Sequence, residues 1–462
     1  MFFARNDLLY ANPDRLCYGV AVTDIDGDGL FEFVVAGFGC ANVALKWTGR
    51  GYLDCADAVL ADPHGQAIGL AAGDVDADGI EELYILNSDT FAGSKQQIDR
   101  LFALHGGARV DLFAQPEAAA IANPSAGRSV AVIDRTGSGR YAFVVANYGA
   151  RMRLYELDAQ WRLGEHSRAA GLTYASGGRG LAVGQLFGSD VDVVCINERG
   201  PNLVLANAGD GTFYDVAASC GIQDRLLHGR GISLFDANDD GRLDIAYGNW
   251  EGEQRLWVRD DGPYAFVESS TAAYATPGRV RTVIAADFDN DGNPEVFFNC
   301  MGEPNRLFGR RDGVWVALDI GDARESDGLG TGAAIADLDG DGRLELLIAH
   351  GESAPQPLSL YHVAPNTNHW LRVRPLTRAG APARGALVVI QMGLRRVAQS
   401  IDGGSGYLCQ MEPIAHFGLG AVRDIDQVSI QWPSGATTII TRPHVDQVLI
   451  VPHPAVDDDQ IL

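Results

Sequence analysis

Short apolar runs of three to six residues, paired across turns that are mostly acidic, recur through the first three quarters of the chain. One run enters the turn (Gly19-Val-Ala-Val-Thr23, Ala67–Ala72, Gly231–Phe235, Val283–Ala286) and a second leaves it (Phe33-Val-Val-Ala36, Leu83–Leu86, Phe143–Ala146, Ile245–Tyr247). A polar turn, a third strand (Asn202–Ala206, Asn305–Phe308) and a short fourth (Thr212–Val216) complete the pattern. Four short strands in a repeat of about 50 residues is the signature of one propeller blade. Small residues in the entering runs suit an inner strand, where blades crowd the axis.

The turns carry the chemistry. Asp337, Asp339 and Asp341 alternate, Gly342 permits a sharp bend, and Glu345 follows just before an apolar run. Carboxylates at positions 1, 3, 5 and 9, with a backbone carbonyl at position 7, offer the oxygen-rich, flexible cage that Ca²⁺ requires. An EF-hand would place its glutamate at position 12 between two helices, whereas β-type segments flank this loop. The same spelling occurs at Asp24, Asp26, Asp28, Glu32; at Asp74, Asp76, Asp78, Glu82; at Asp236, Asn238, Asp240, Asp244; and at Asp287, Asp289, Asp291, Glu295. Eroded copies lie at Asp134–Ala142 and Gln185–Ser189. First positions at 24, 74, 134, 185, 236, 287 and 337 therefore predict an all-β, seven-bladed propeller with up to five structural Ca²⁺ sites and no organic cofactor.

The seventh repeat lacks a clear fourth strand, and Phe2-Phe3-Ala4 is expected to supply it, closing the ring and protecting its edges. The period stops near residue 365. Alternating strands follow (Trp370–Arg374, Leu387–Met392, Val428–Trp432, Thr438–Ile440), so the propeller is assigned to 1–365 and a small C-terminal β domain to 366–455. The tail from Val456 is expected to fray.

A net charge of −24 changes meaning once the acids are located, because many of them sit in the cages. It disfavours nucleic acid as a partner, since phosphates would be repelled. No apolar run of 18 residues is present, so no membrane span is expected. The amino terminus shows no signal peptide and the seven cysteines are irregularly spaced; both favour a cytoplasmic chain with reduced thiols, with a secreted chain as the alternative.

The cages resemble FG-GAP/VCBS propeller repeats. The end resembles the ASPIC/UnbV domain through Asn368-His369-Trp370-Leu371, Gly385-Ala386, Gln399, Ser405-Gly406-Tyr407, His416–Gly420 and Trp432-Pro-Ser-Gly435. The combination is similar to cartilage acidic proteins and to the UnbV proteins of enediyne antibiotic clusters. That resemblance implies a calcium-bearing propeller with a β cap, and leaves the activity open between matrix and biosynthetic roles.

Six residues before the first cage position, four repeats carry arginine: Arg128, Arg179, Arg230 and Arg281. Just past the exit strands lie Asn87, Asn147, Asn197, Asn249, Asn299 and His350, followed closely by Asp89, Tyr148, Glu198, Arg199, Trp250, Glu251, Glu303 and Glu352. Ring symmetry is expected to gather these at the channel mouth, either paired and plugging it or arranged around a ligand. In the second case the arginines (Arg179, Arg230, Arg281) would stabilise an oxyanion and the glutamates (Glu198, Glu251, Glu303, Glu352) would move protons. Arg128, Tyr148, Trp250, Asn249 and Asn299 would hold the substrate. The expectation is a cofactor-independent tailoring enzyme of secondary metabolism, catalysing cyclisation, epoxide opening or carbon–carbon bond formation on a bulky polycyclic small molecule. The alternative is a non-catalytic, calcium-stabilised extracellular adhesion or interaction protein.

Overall fold

The computed structural model describes residues 2–105 and 108–454. The expected fraying beyond Val456 lies outside them. Among the described residues nearly all regular structure is β; the three α-helices are single turns.

Up to residue 363 the described residues form antiparallel units of four strands. Their first strands are Cys17–Thr23, Ala67–Gly73, Gly127–Ile133, Ala175–Gly184, Gly229–Phe235, Gly278–Ala286 and Gly330–Ala336. Each lies beside the first strand of the next unit, and the seventh lies beside the first, so the arrangement is cyclic and propeller-like. Two second strands, Ala142–Arg151 and Asp244–Gly252, run long enough to pair with the next unit as well, fusing neighbouring sheets.

Phe3–Arg5 supplies the outer strand of the last unit, pairing antiparallel with Ser359–Val363 (Phe3 opposite Val363), one residue along from the expected segment. Phe3 is fully buried and meets Phe288 edge-on at 5.1 Å. Edge-to-face pairs contribute beyond their buried area, so Phe3→Leu is expected to cost about 1 kcal/mol in urea unfolding. An unchanged midpoint would show that this strand does not hold the ring together.

From His369 the chain builds two further sheets. One joins Ala415–Gly420, His369–Pro375 and Gln447–Val451, the last pair parallel; the other joins Arg395–Ser400, Leu387–Met392, Gln427–Gln431 and Thr437–Thr441. Their apolar faces share a core of Leu371, Val388, Ile390, Phe417, Ile430 and Trp432. Alternation in the sequence marks four of these strands; Arg395–Ser400 and Ala415–Gly420 are too polar or glycine-rich to show a period, and the apolar run of Gln447–Val451 does not alternate.

The two parts interlock. Residues 402–412 run into the ring's axis and back, hydrogen-bonding to the inner strands as they go. The N–H groups of Val132 and Ile232 donate to the carbonyls of Gly403 and Gly406 (2.6 Å each), and Val22 N–H to Gln410 (3.0 Å). Gln410 also brackets Ala72, accepting from its N–H at 2.7 Å and donating to its carbonyl at 2.9 Å. Here the small inner-strand residues have a concrete reason: a Cβ on Gly19 would sit 2.1 Å from the Leu408 carbonyl oxygen.

Candidate metal centres and channel mouth

Each cage is folded by its own carboxylates before any ion is considered. The position-1 aspartate accepts backbone N–H groups across the turn, as Asp24 does from Gly27 and Gly29 (both 2.7 Å) and Asp287 from Gly292 (2.7 Å). The position-9 acid turns back to the N–H of position 2: Glu32 to Ile25, Glu82 to Val75, Asp244 to Ala237, Glu295 to Phe288 and Glu345 to Leu338. The eroded loops keep this scaffold without a full ligand set. Asp134 still accepts from Ser138 and Gly139, and Asp192 takes the position-9 role toward Leu186 and Phe187.

Carboxylate oxygens converge to within 4.8 Å in four groups: Asp337/Asp339/Asp341/Glu345, Asp24/Asp26/Glu32, Asp74/Asp76/Asp78 and Asp287/Asp289/Asp291. A cation fits these loops on a separate observation. Asp287 Oδ1, Glu295 Oε1 and Asp337 Oδ1 are buried acceptors with no hydrogen-bond donor, an arrangement that costs free energy unless a positive charge meets them. Burial, reinforced by neighbouring carboxylates, pushes Glu82 up to about 9 and Asp74 to about 7, while Glu345 and Glu295 rise well above the usual range. A divalent ion relieves both the desolvation and the like-charge repulsion.

In the set Asp236, Asn238, Asp240 and Asp244 the three carboxylates do not converge as those four groups do, and the remaining ligand is an amide. Asn238 Nδ2 donates to Asp240 Oδ2 (3.1 Å), and Arg242 pairs with the same oxygen at 2.6 Å. The first cage departs differently. Lys46 Nζ sits 2.7 Å from Asp26 Oδ2, 2.7 Å from Asp28 Oδ2 and 3.0 Å from Glu32 Oε1, placing an ammonium where an ion would lie. The matching third-strand positions of the other four cages hold Ala103, Val258, Gly309 and His362. Lys46→Met is therefore expected to raise the number of Ca²⁺ bound per chain by one in equilibrium dialysis, and an unchanged number would show that the lysine does not compete.

The C-terminal sheets cover this same face. Arg372 bridges Asp337 (2.9 Å) and Glu412, Ala398 N–H donates to Asp236 (3.1 Å), and His416 Nε2 meets Asn290 Oδ1 at 2.6 Å. A Cβ on Gly342, whose φ is +83°, would lie 2.1 Å from the Trp370 ring, so glycine serves both the bend and the cap.

At the other ends of the inner strands the four arginines do come together. They line one cavity of about 310 Å³ with Tyr18, Phe91, Trp250, Glu352 and Tyr407. Glu198 bridges Arg179 and Arg230 (3.0 Å to the latter), and Glu352 pairs with Arg281. Tyr407, at the tip of the axial loop, accepts from Arg179 Nη1 at 3.2 Å. Arg281 lies 4.8 Å over the Trp250 ring, and Arg179 lies 5.0 Å over Tyr148, which packs on Phe91.

Other predicted mouth residues lie elsewhere. Asn249 and Asn299 are buried and brace backbone, donating to the carbonyls of Glu253 (2.5 Å) and Gly332 (3.4 Å). Glu251 pairs with Arg279 at 3.0 Å on the outer rim, and Glu303 accepts the Arg279 N–H. None of the four lines the cavity.

Comparison with known proteins separates the family from the activity. Residues 236–298 match the FG-GAP-like repeat, and residues 377–457 match ASPIC and UnbV. Cartilage acidic protein 1 of Xenopus tropicalis is 44% identical over 97% of this chain and 75% of its own length; the Mus musculus protein is 42% identical over 98% and 76%. The chain belongs to the cartilage acidic protein 1 family. Solved structures with the same all-β, propeller-like fold include the BP39L lectin from Burkholderia pseudomallei (TM-score 0.50, 13% identity, 77% of this chain and 98% of that one). BBS1N in complex with ARL6DN is similar at TM-score 0.50 and 11% identity, over 79% and 98%. The resemblance to FG-GAP repeats with a C-terminal ASPIC/UnbV segment is thus correct.

For this member of the cartilage acidic protein 1 family, reading the sequence missed two functional groups, Lys46 and Tyr407. A lone lysine in a third strand carries no motif. Tyr407 stands out in the sequence only as part of the Ser405-Gly406-Tyr407 motif, and the glycines around it are the one local sign of a chain passing through a crowded place. Among the described residues no helix is long and apolar enough to cross a membrane.

Proposed function

We propose that this protein is a non-catalytic, calcium-stabilised interaction protein of the extracellular kind. In this reading it is a seven-bladed propeller over 1–365, capped by the β domain of 366–455, with Ca²⁺ held in the cages of the second, sixth and seventh blades. The observation that carries it is the set of buried, donorless oxygens on Asp287, Glu295 and Asp337, at the face where the cap is seated. Similarity to cartilage acidic protein 1 along nearly the whole chain supports it further. When bound, Ca²⁺ would neutralise the cages. The chain's own residues do the remaining work, Arg372 and Trp370 holding the cap against the seventh loop.

The enzymatic reading has less behind it. Burial would raise the Glu198 carboxyl, but Arg179 and Arg230 outweigh burial and hold it below its usual range, which makes it a poor proton acceptor. Glu352 is tied to Arg281, and Glu251 and Glu303 lie outside the cavity. Luminescent Tb³⁺ titration of the full chain tests the calcium reading: saturable binding displaced by Ca²⁺ and weakened by Asp287→Asn is expected. Absence of a displaceable lanthanide signal would remove it. Turnover of polycyclic epoxides or polyenes by the calcium-loaded chain would restore the tailoring enzyme.

A further inference from the structure

We propose that the channel mouth is an oxyanion site that takes the carboxylate or sulfate head of a small molecule with a flat body. The arginines stand at the opposite ends of the inner strands from the cages, so the assignment stands apart from the calcium reading.

The first ground is charge. Four guanidiniums face one cavity, and among the described residues the carboxylates that pair with them are Glu198 and, at a more exposed position, Glu352; Asp89 lies at the exposed rim, where it accepts the Gln96 N–H. Arg128 is 8% exposed and has no carboxylate partner, its Nη2 donating to the carbonyls of Thr90 (3.2 Å) and Phe91. The Nε groups of Arg128, Arg230 and Arg281 are buried donors without acceptors. Buried donors of this kind call for an acceptor, and a planar guanidinium suits an oxyanion.

The second ground is the local field. Burial alone would push the Tyr407 phenol up, yet Arg179, Arg281, Arg230 and Arg128 together hold it below its ordinary range. Burial and then the neighbouring Arg179 push Arg230 down to about 10, as expected where positive charge is in excess. On a chain of net charge −24, such a patch stands out to an approaching anion.

The third ground is shape. The cavity of about 310 Å³ is of small-molecule size and is lined by Phe91, Trp250 and Tyr407, and the planar guanidiniums held over the Phe91 and Trp250 rings offer flat surfaces against which a flat ring can stack.

Isothermal titration calorimetry of the full, calcium-loaded chain tests this with benzoate, phenyl sulfate, methyl sulfate and benzyl alcohol. One equivalent of benzoate or phenyl sulfate is expected to bind, more weakly at high salt, and the tighter of the two identifies the head group. Methyl sulfate should bind about tenfold more weakly than phenyl sulfate, and Arg128→Gln should weaken binding about tenfold while Arg128→Lys retains most of it. Glu352→Gln, at a side chain 41% exposed, should tighten binding about threefold. No saturable heat from any anion would overturn the proposal, as would equal binding of benzyl alcohol or affinities that Glu352→Gln leaves unmoved.

Discussion

Chelating calcium is expected to lower the unfolding temperature by about 10 °C or more, the largest effect that any single treatment should have on this chain. The three cages whose acids converge with no lysine among them are those of Asp74, Asp287 and Asp337. An ion present at a hundred times its dissociation constant stabilises by about 2.7 kcal/mol per site, so three sites supply roughly 8 kcal/mol. The Asp287 and Asp337 loops also seat the cap, through the Asn290–His416 and Asp337–Arg372 contacts, so loss of the ion loosens cap and ring together. Calorimetric scans with and without EGTA provide the measurement, with Asp337→Ala lowering the temperature more than Asp134→Ala. Identical scans would mean that the buried carboxylates are protonated rather than metal-bound.

The second large effect is expected at Arg384. This side chain is buried and joins the two parts of the molecule, pairing with both oxygens of Glu81 (3.0 Å to Oε2) and donating to the carbonyls of Asp402 (2.7 Å) and Val22 (2.9 Å). Arg384→Met leaves Glu81 as an unpaired charge away from water and should cost about 3–5 kcal/mol in urea unfolding. The double variant Arg384→Met, Glu81→Gln should recover a large share of that loss, because it removes the stranded charge as well. Additive losses would show that the two groups do not depend on each other.

What could be read from the sequence follows from locality. Cage spacing, inner strands and the arginine register are written within single repeats, where period 2 and a fixed 50-residue step make them visible. The axial loop has no such signature: Val22 and Gln410 meet across 388 positions, and Gly403–Gly406 looks like an ordinary turn. The Asn249 and Asn299 positions misled for a related reason. Their recurrence after each exit strand marks a residue that braces the following backbone, and a structural repeat spells such a brace as regularly as it spells a ligand. Lys46 was invisible because its effect depends on where the strand places its ammonium rather than on any neighbour in the chain.

The axial loop also dictates an order of assembly. Synthesis runs from the N-terminus, so every ring strand leaves the ribosome before residues 402–412 do. Until then the backbone donors of Val22, Val132 and Ile232 have only water to bond. A nascent ring is therefore wet at its centre, and drying that centre is a late act of folding, performed by a segment the ring must wait for.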